Sequence, residues 1–121
     1  MLIFALGCLV AEDSGGAPEL TLVSPKDGDT VCGDPLAIDS ELENFTLANV
    51  DPDEASADEG HEHLWLNGQE AAQSYEEDFI VTGIADGEYQ LRVDLARADH
   101  TTLEPYVGVT IYVTVDATVC Q

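Results

Sequence analysis

Between Glu88 and Ala96 the chain reads EYQLRVDLA, in which Tyr89, Leu91, Val93 and Leu95 alternate with Glu88, Gln90, Arg92 and Asp94. A period of two puts alternate side chains on opposite faces of an extended strand, one dry and one wet, and is incompatible with the 3.6-residue period of a helix. Val107, Val109, Ile111, Val113 and Val115 repeat the pattern near the C-terminus. Further apolar or alternating runs at Leu20–Val23, Leu36–Leu42, His61–Leu66 and Ser74–Val81 read as strands, separated by Gly, Pro, Asp and Asn. The segment PKDGDT and the pairs Asn67-Gly68 and Asp86-Gly87 are turn chemistry, and the two pairs signal hairpins because both tolerate positive φ. No long helical period interrupts this order. The expected fold is all-β: an immunoglobulin-like antiparallel β-sandwich of about seven strands.

A chain of 121 residues has room for one domain, and at 45% apolar it can build a core. It carries 25 acidic residues against 3 basic, a formal charge of -22. That field repels nucleic-acid phosphates and anionic lipid headgroups and attracts a metal cation or a basic protein partner. Nucleic-acid binding is thereby excluded. An acidic surface with a single lysine, Lys26, fits a saline habitat and an ordinary extracellular domain equally well.

The N-terminal MLIFALGCLVA is a short apolar run followed by the polar EDSGGAPE. It is too short to span a bilayer, which takes about 20 apolar residues, and reads as a targeting segment. The alternative is a first strand over residues 2 to 11. ALGC, Ala5 to Cys8, resembles the lipobox of bacterial lipoproteins, although Ala5 stands where an aliphatic is usual and no basic residue precedes the run. The resemblance implies a lipidated Cys8, membrane contact through that N-terminal anchor alone, and an exported protein of the bacterial envelope. Residues 1–19 are read as signal segment and linker, and 20–121 as the domain.

With Cys8 assigned to an anchor, Cys32 and Cys120 can pair only with each other; the alternative is two buried free thiols. They lie after the first strand region and after the last, and those strands often run side by side in such sandwiches.

The only three histidines, His61, His63 and His100, stand in GHEHLWLNG and ADHTTLEPY. Residues i and i+2 of a strand share a face about 7 Å apart. If the strand of His61 pairs antiparallel with the one ending near Ala96, His100 falls beside it. Three neutral imidazoles suit zinc or copper, with Asp99, Glu62 or Glu59 as an oxygen ligand or as a partner that orients a ring. The plainer alternative is that His61, His63 and Trp65 share a core face, with His63 hydrogen-bonded to backbone or to Asp99. The acidic loop with Asp51, Asp53, Glu54, Asp58 and Glu59 lacks EF-hand spacing and reads as solvated rather than as a calcium site. Asn44-Phe45-Thr46 is a glycosylation sequon, idle in a bacterium.

The same motifs carry a wider resemblance. SPKDG from Ser24 to Gly28, GHEH leading to Asn67-Gly68, the GEYQLRVDLARADH run and the final IYVTV together resemble a group of small exported bacterial domains of unknown function that carry GHxH and DH motifs. The likeness spans about four-fifths of the chain and includes all three histidines, and it implies a fold and an address more than a reaction. A more distant resemblance is to copper-handling sandwiches of the bacterial envelope, yet Met1 is the only methionine, which disfavours soft cuprous binding. No nucleophile turn, phosphate loop or reactive-cysteine context is present, and a domain this small leaves little room for a substrate pocket. The expected function is a non-catalytic, envelope-anchored binding or interaction module, with a three-histidine zinc or copper protein as the alternative.

Overall fold

The computed structural model describes residues 16–120. Nine strands follow in order: β1 (Glu19–Ser24), β2 (Thr30–Val31), β3 (Leu36–Glu43), β4 (Thr46–Leu47), β5 (Glu59–Leu66), β6 (Gln69–Ser74), β7 (Asp78–Val81), β8 (Gly87–Arg97) and β9 (Gly108–Val115), then a single 3₁₀ turn at Ala117–Val119. Two of them, β2 and β4, are only two residues long, which leaves seven full strands as expected. They form two sheets, one of six strands in the order β2-β9-β8-β5-β4 with β6 also on β5, the other of three in the order β1-β3-β7. Pairing is antiparallel except where the short strands join: β2 lies parallel to β9 and β4 parallel to β5.

The core lies between the sheets. Leu36 and Ile38 of β3 face Leu64 and Leu66 of β5, Leu91 and Val93 of β8, and Ile111 and Val113 of β9, all buried. Each such side chain, fully withdrawn from water, contributes about 1.5 to 3 kcal/mol. The alternation read in EYQLRVDLA holds along β8 as far as Val93, with Leu91, Val93 and Leu95 inward, while Asp94 and Ala96 on the other face are buried as well.

Asn67-Gly68 closes the β5–β6 hairpin, both residues at positive φ (52° and 82°) with Leu66 opposite Gln69. Asp86-Gly87 does not make a hairpin. The chain crosses there from β7 in one sheet to β8 in the other, and the Asp86 carboxylate accepts the Ala117 N–H at 2.9 Å. The expected strand Ser74–Val81 is two strands in different sheets. Ser74 ends the first by bonding through its hydroxyl to the C=O and N–H of Glu76, which turns the chain toward β7. PKDGDT forms the expected turn, with Gly28 at φ 90° and the Asp27 carboxylate accepting the Tyr112 N–H of β9.

Cys32 and Cys120 are disulfide-bonded, with Cα atoms 4.9 Å apart across 88 residues of sequence. The strand beside β9 is the two-residue β2 rather than the first strand, and it is this pairing that brings the cysteines together. No helix among the described residues is long and apolar enough to cross a membrane. Cys8 and the apolar run around it lie outside the described residues.

Candidate metal centre

Strands β5 and β8 pair antiparallel with His61 opposite Ala96 and His63 opposite Asp94. Alternation along β5 then divides its side chains. Leu64 and Leu66 point into the inter-sheet core, so His61, His63 and Trp65 lie on the outer face of the six-stranded sheet. The face they share is therefore not the core. It is nevertheless sheltered, since His61 is 1% and His63 5% exposed. Tyr75 packs edge-on to His61, Trp65 edge-on to His63, and the segment after β8 folds back over the sheet.

That segment delivers His100. Thr102 bridges back to Ala96, and Arg97 donates its N–H to the Thr101 carbonyl at 2.8 Å. His100 sits in the turn between them with φ 72°, a left-handed conformation that histidine tolerates better than most residues. The Asp99 carboxylate locks the turn by accepting both the N–H and the hydroxyl of Thr101, at 3.1 and 2.6 Å. Those bonds hold the Asp99 carboxyl below its ordinary pKa.

The three imidazoles converge. His61 Nε2 and His63 Nε2 are 2.9 Å apart, and one nitrogen from each of the three rings lies within 4.8 Å of the others. Ring centroids of His61 and His100 are 4.8 Å apart, and the His63 and His100 rings are nearly parallel at 6.1 Å. Burial, followed by the neighbouring His63 and His100, lowers the His61 pKa to about 4. The ring is thus neutral at physiological pH, and its Nε2 shares a hydrogen bond with His63 Nε2 in which either ring can be the donor. His63 Nδ1 is buried and has no hydrogen-bond partner.

Of the three carboxylates expected nearby, none reaches the site. Asp99 is occupied by its own turn, and Glu59 accepts the Ser56 N–H in the loop before β5. Glu62 points the other way, into the core, where its Oε2 accepts the Ser40 hydroxyl at 2.6 Å and its Oε1 has no partner. Burial raises its pKa to about 7. The carboxylates that do approach are Asp94 and Glu70, each 3.9 Å from a nitrogen of His63, at Nδ1 and Nε2 respectively. Asp94 is buried and accepts from Trp65 Nε1 at 3.1 Å and from the Tyr106 hydroxyl at 2.9 Å, with the Arg92 guanidinium 3.5 Å away. Burial and that bond to Asp94 push the Tyr106 hydroxyl up to about 12. Arg92 in turn lies over the Trp65 ring at 4.9 Å.

Two glycines admit this geometry. A Cβ on Gly60 would overlap the Ala96 carbonyl, and one on Gly108 would collide with Tyr106 and Asp94. The acidic loop before β5 stays solvated, its Asp51 and Glu59 carboxylates accepting the loop's own N–H groups. Among the described residues, His61, His63 and His100 are the one group of metal-capable side chains that gathers in this way. The sequon asparagine Asn44 sits at φ 62° and donates its side-chain amide to the Ala17 carbonyl.

No family model matches the chain, and no curated protein matches it. Among solved structures it is similar to the fibronectin(III)-like modules of Clostridium thermocellum CbhA, with 16% identity, a TM-score of 0.57 and coverage of 84% of this chain and 99% of that one. It is also similar to an engineered protein, at 13% identity and a TM-score of 0.54, over 90% of this chain and 21% of that one. At such identities the likeness speaks to architecture alone, and it agrees with the two sheets described above: the chain has the immunoglobulin-like β-sandwich fold of a fibronectin(III)-like module.

Proposed function

We propose that this chain is a non-catalytic binding module whose ligand is a divalent metal ion, zinc or cupric copper, held by His61, His63 and His100. One observation carries the reading: two imidazole nitrogens 2.9 Å apart with a third histidine inside 4.8 Å. Ligands at about 2.1 Å on a tetrahedral ion stand about 3.4 Å from one another, so small ring rotations bring these nitrogens to ligand distances. A strongly negative surface raises the local concentration of cations. The disulfide fits an oxidising compartment, and together with the lipobox-like ALGC it supports an exported protein tethered to the bacterial envelope through Cys8.

The deciding measurement is thermal denaturation of metal-free protein with and without zinc or copper. A ligand that prefers the folded state must raise its stability, by about 2.7 kcal/mol at a hundred times Kd. An unchanged melting temperature with both ions would sink the proposal. The supporting result is a rise in the wild type that is absent when any one histidine is replaced by alanine.

A basic protein partner is a second reading, favoured by the outer face of the three-stranded sheet. Glu19, Glu41, Glu43 and Asp78 are all exposed there, with Glu19 directly opposite Glu43.

A further inference from the structure

Three imidazoles leave a tetrahedral ion one position short, and the nature of the fourth ligand decides what kind of centre this is. Water there gives an open site, whereas a protein side chain gives a closed one. We infer that Glu70 is that fourth ligand, making the site a closed, four-coordinate zinc centre of three imidazoles and one carboxylate. The inference rests on the three-histidine reading above.

Glu70 stands on β6 directly after the Asn67-Gly68 hairpin, opposite Trp65. Its Oε2 is 3.9 Å from His63 Nε2, the same nitrogen that meets His61. The edge of a zinc tetrahedron is about 3.4 Å. The His61–His63 separation is therefore somewhat short of that edge and the Glu70–His63 separation somewhat long, so both close on it with small movements. Glu70 has the freedom to make its movement, since its side chain is 39% exposed. The Gln73 amide donates to the same Oε2 at 2.6 Å and keeps the carboxylate on this side of the hairpin. Asp94, the other nearby carboxylate, is less suited to ligation. It approaches the Nδ1 side of His63 and is already engaged by Trp65 and Tyr106. A neutral nitrogen set with one carboxylate suits zinc, which is content with four ligands and makes no demand for a square plane.

The test loads metal-free wild-type protein with cobalt(II), whose visible absorption is much stronger in a four-coordinate site than in a six-coordinate one, and then displaces it with zinc. The proposal expects strong absorption in the wild type. Glu70→Gln should weaken zinc binding by about tenfold or more and change the cobalt spectrum, while the melting temperature of the metal-free variant stays at the wild-type value. Glu88→Gln, an exposed carboxylate at the far end of β8, controls for the simple loss of one negative charge. If the wild type binds both ions and Glu70→Gln matches Glu88→Gln in spectrum and affinity, the fourth ligand is water and this inference is overturned with the three-histidine site intact. If the wild type binds neither ion, the three-histidine reading itself fails, and this one with it.

Discussion

His61 and His63 meet nitrogen to nitrogen at 2.9 Å, although a strand sets residues two apart about 7 Å apart at the backbone. The rings must lean toward each other to do so, and they are held in that pose by Tyr75, Trp65 and the returning segment that carries His100. Without a cation the contact is a hydrogen bond between the two rings, and an ion bound by both nitrogens takes the place of the shared proton.

Replacing His63 with alanine therefore has two separable consequences. In metal-free protein the variant loses a nearly buried side chain and its hydrogen bond to His61 while relieving an unpartnered Nδ1, so a net cost of about 2 to 3 kcal/mol is expected. In zinc the gap to wild type should widen, because only the wild type gains binding energy. Chemical denaturation of both proteins, with chelator and with zinc, measures the two gaps. Equal gaps would mean that His63 serves the fold alone.

Asp99 acts on the site through His100. Its carboxylate holds Thr101 and so fixes a turn in which His100 is kept at φ 72°. Asp99→Ala should leave the metal-free fold nearly as stable, since the turn is exposed, yet weaken zinc binding about fivefold, as about 1 kcal/mol of lost ordering implies. Calorimetric titration checks this. Unaltered affinity would show that His100 reaches the ion without help from the turn.

The pairing of His61 with the end of β8 was legible because it needs only a period of two and the antiparallel order of adjacent strands. The same alternation sends Glu62 to the opposite face, and proximity in sequence was a misleading guide to that carboxylate. Glu70 was not legible. Its place opposite Trp65 depends on a register shift between Leu64 and Trp65 in the β5–β6 ladder, and QEAAQS has little intrinsic strand preference; it is a strand because Asn67-Gly68 folds it onto β5. Asp94 read as a solvated position of β8 and is buried instead, because Tyr106, in the segment between β8 and β9, reaches back to it. Such long-range coverage leaves no local pattern in the sequence.

The Cys32–Cys120 bridge closes the domain across 88 residues. In the chain-entropy model a loop of that length contributes about 4 to 5 kcal/mol, so reduction should lower the melting temperature by more than about 10 °C. Replacing both cysteines with serine should have the same effect, and two thiols titrating in the native, non-reduced protein would rule the bridge out.

Glu62 should make the sandwich less stable as the pH rises through the weakly acidic range. Its carboxyl is wholly buried between the sheets and bonded by Ser40 on one oxygen only, with Glu77 and Asp78 adding negative charge nearby. An acid whose folded pKa is raised, here from 4.5 to about 7, is favoured in its protonated form by the fold. Below pH 4.5 both the folded and the unfolded chain carry the proton, and the group costs nothing. Between pH 4.5 and 7 the unfolded chain ionises first, and stability falls. Above pH 7 the loss is complete, about 3 kcal/mol if the whole shift is expressed. Glu62→Gln keeps the shape and the Ser40 contact but cannot ionise. In metal-free protein the variant should therefore match the wild type near pH 4 and exceed it by about 1 to 3 kcal/mol at pH 8. Urea denaturation at the two pH values, with chelator present, measures the difference. An advantage of the same size at both would trace the effect to packing rather than to the buried charge.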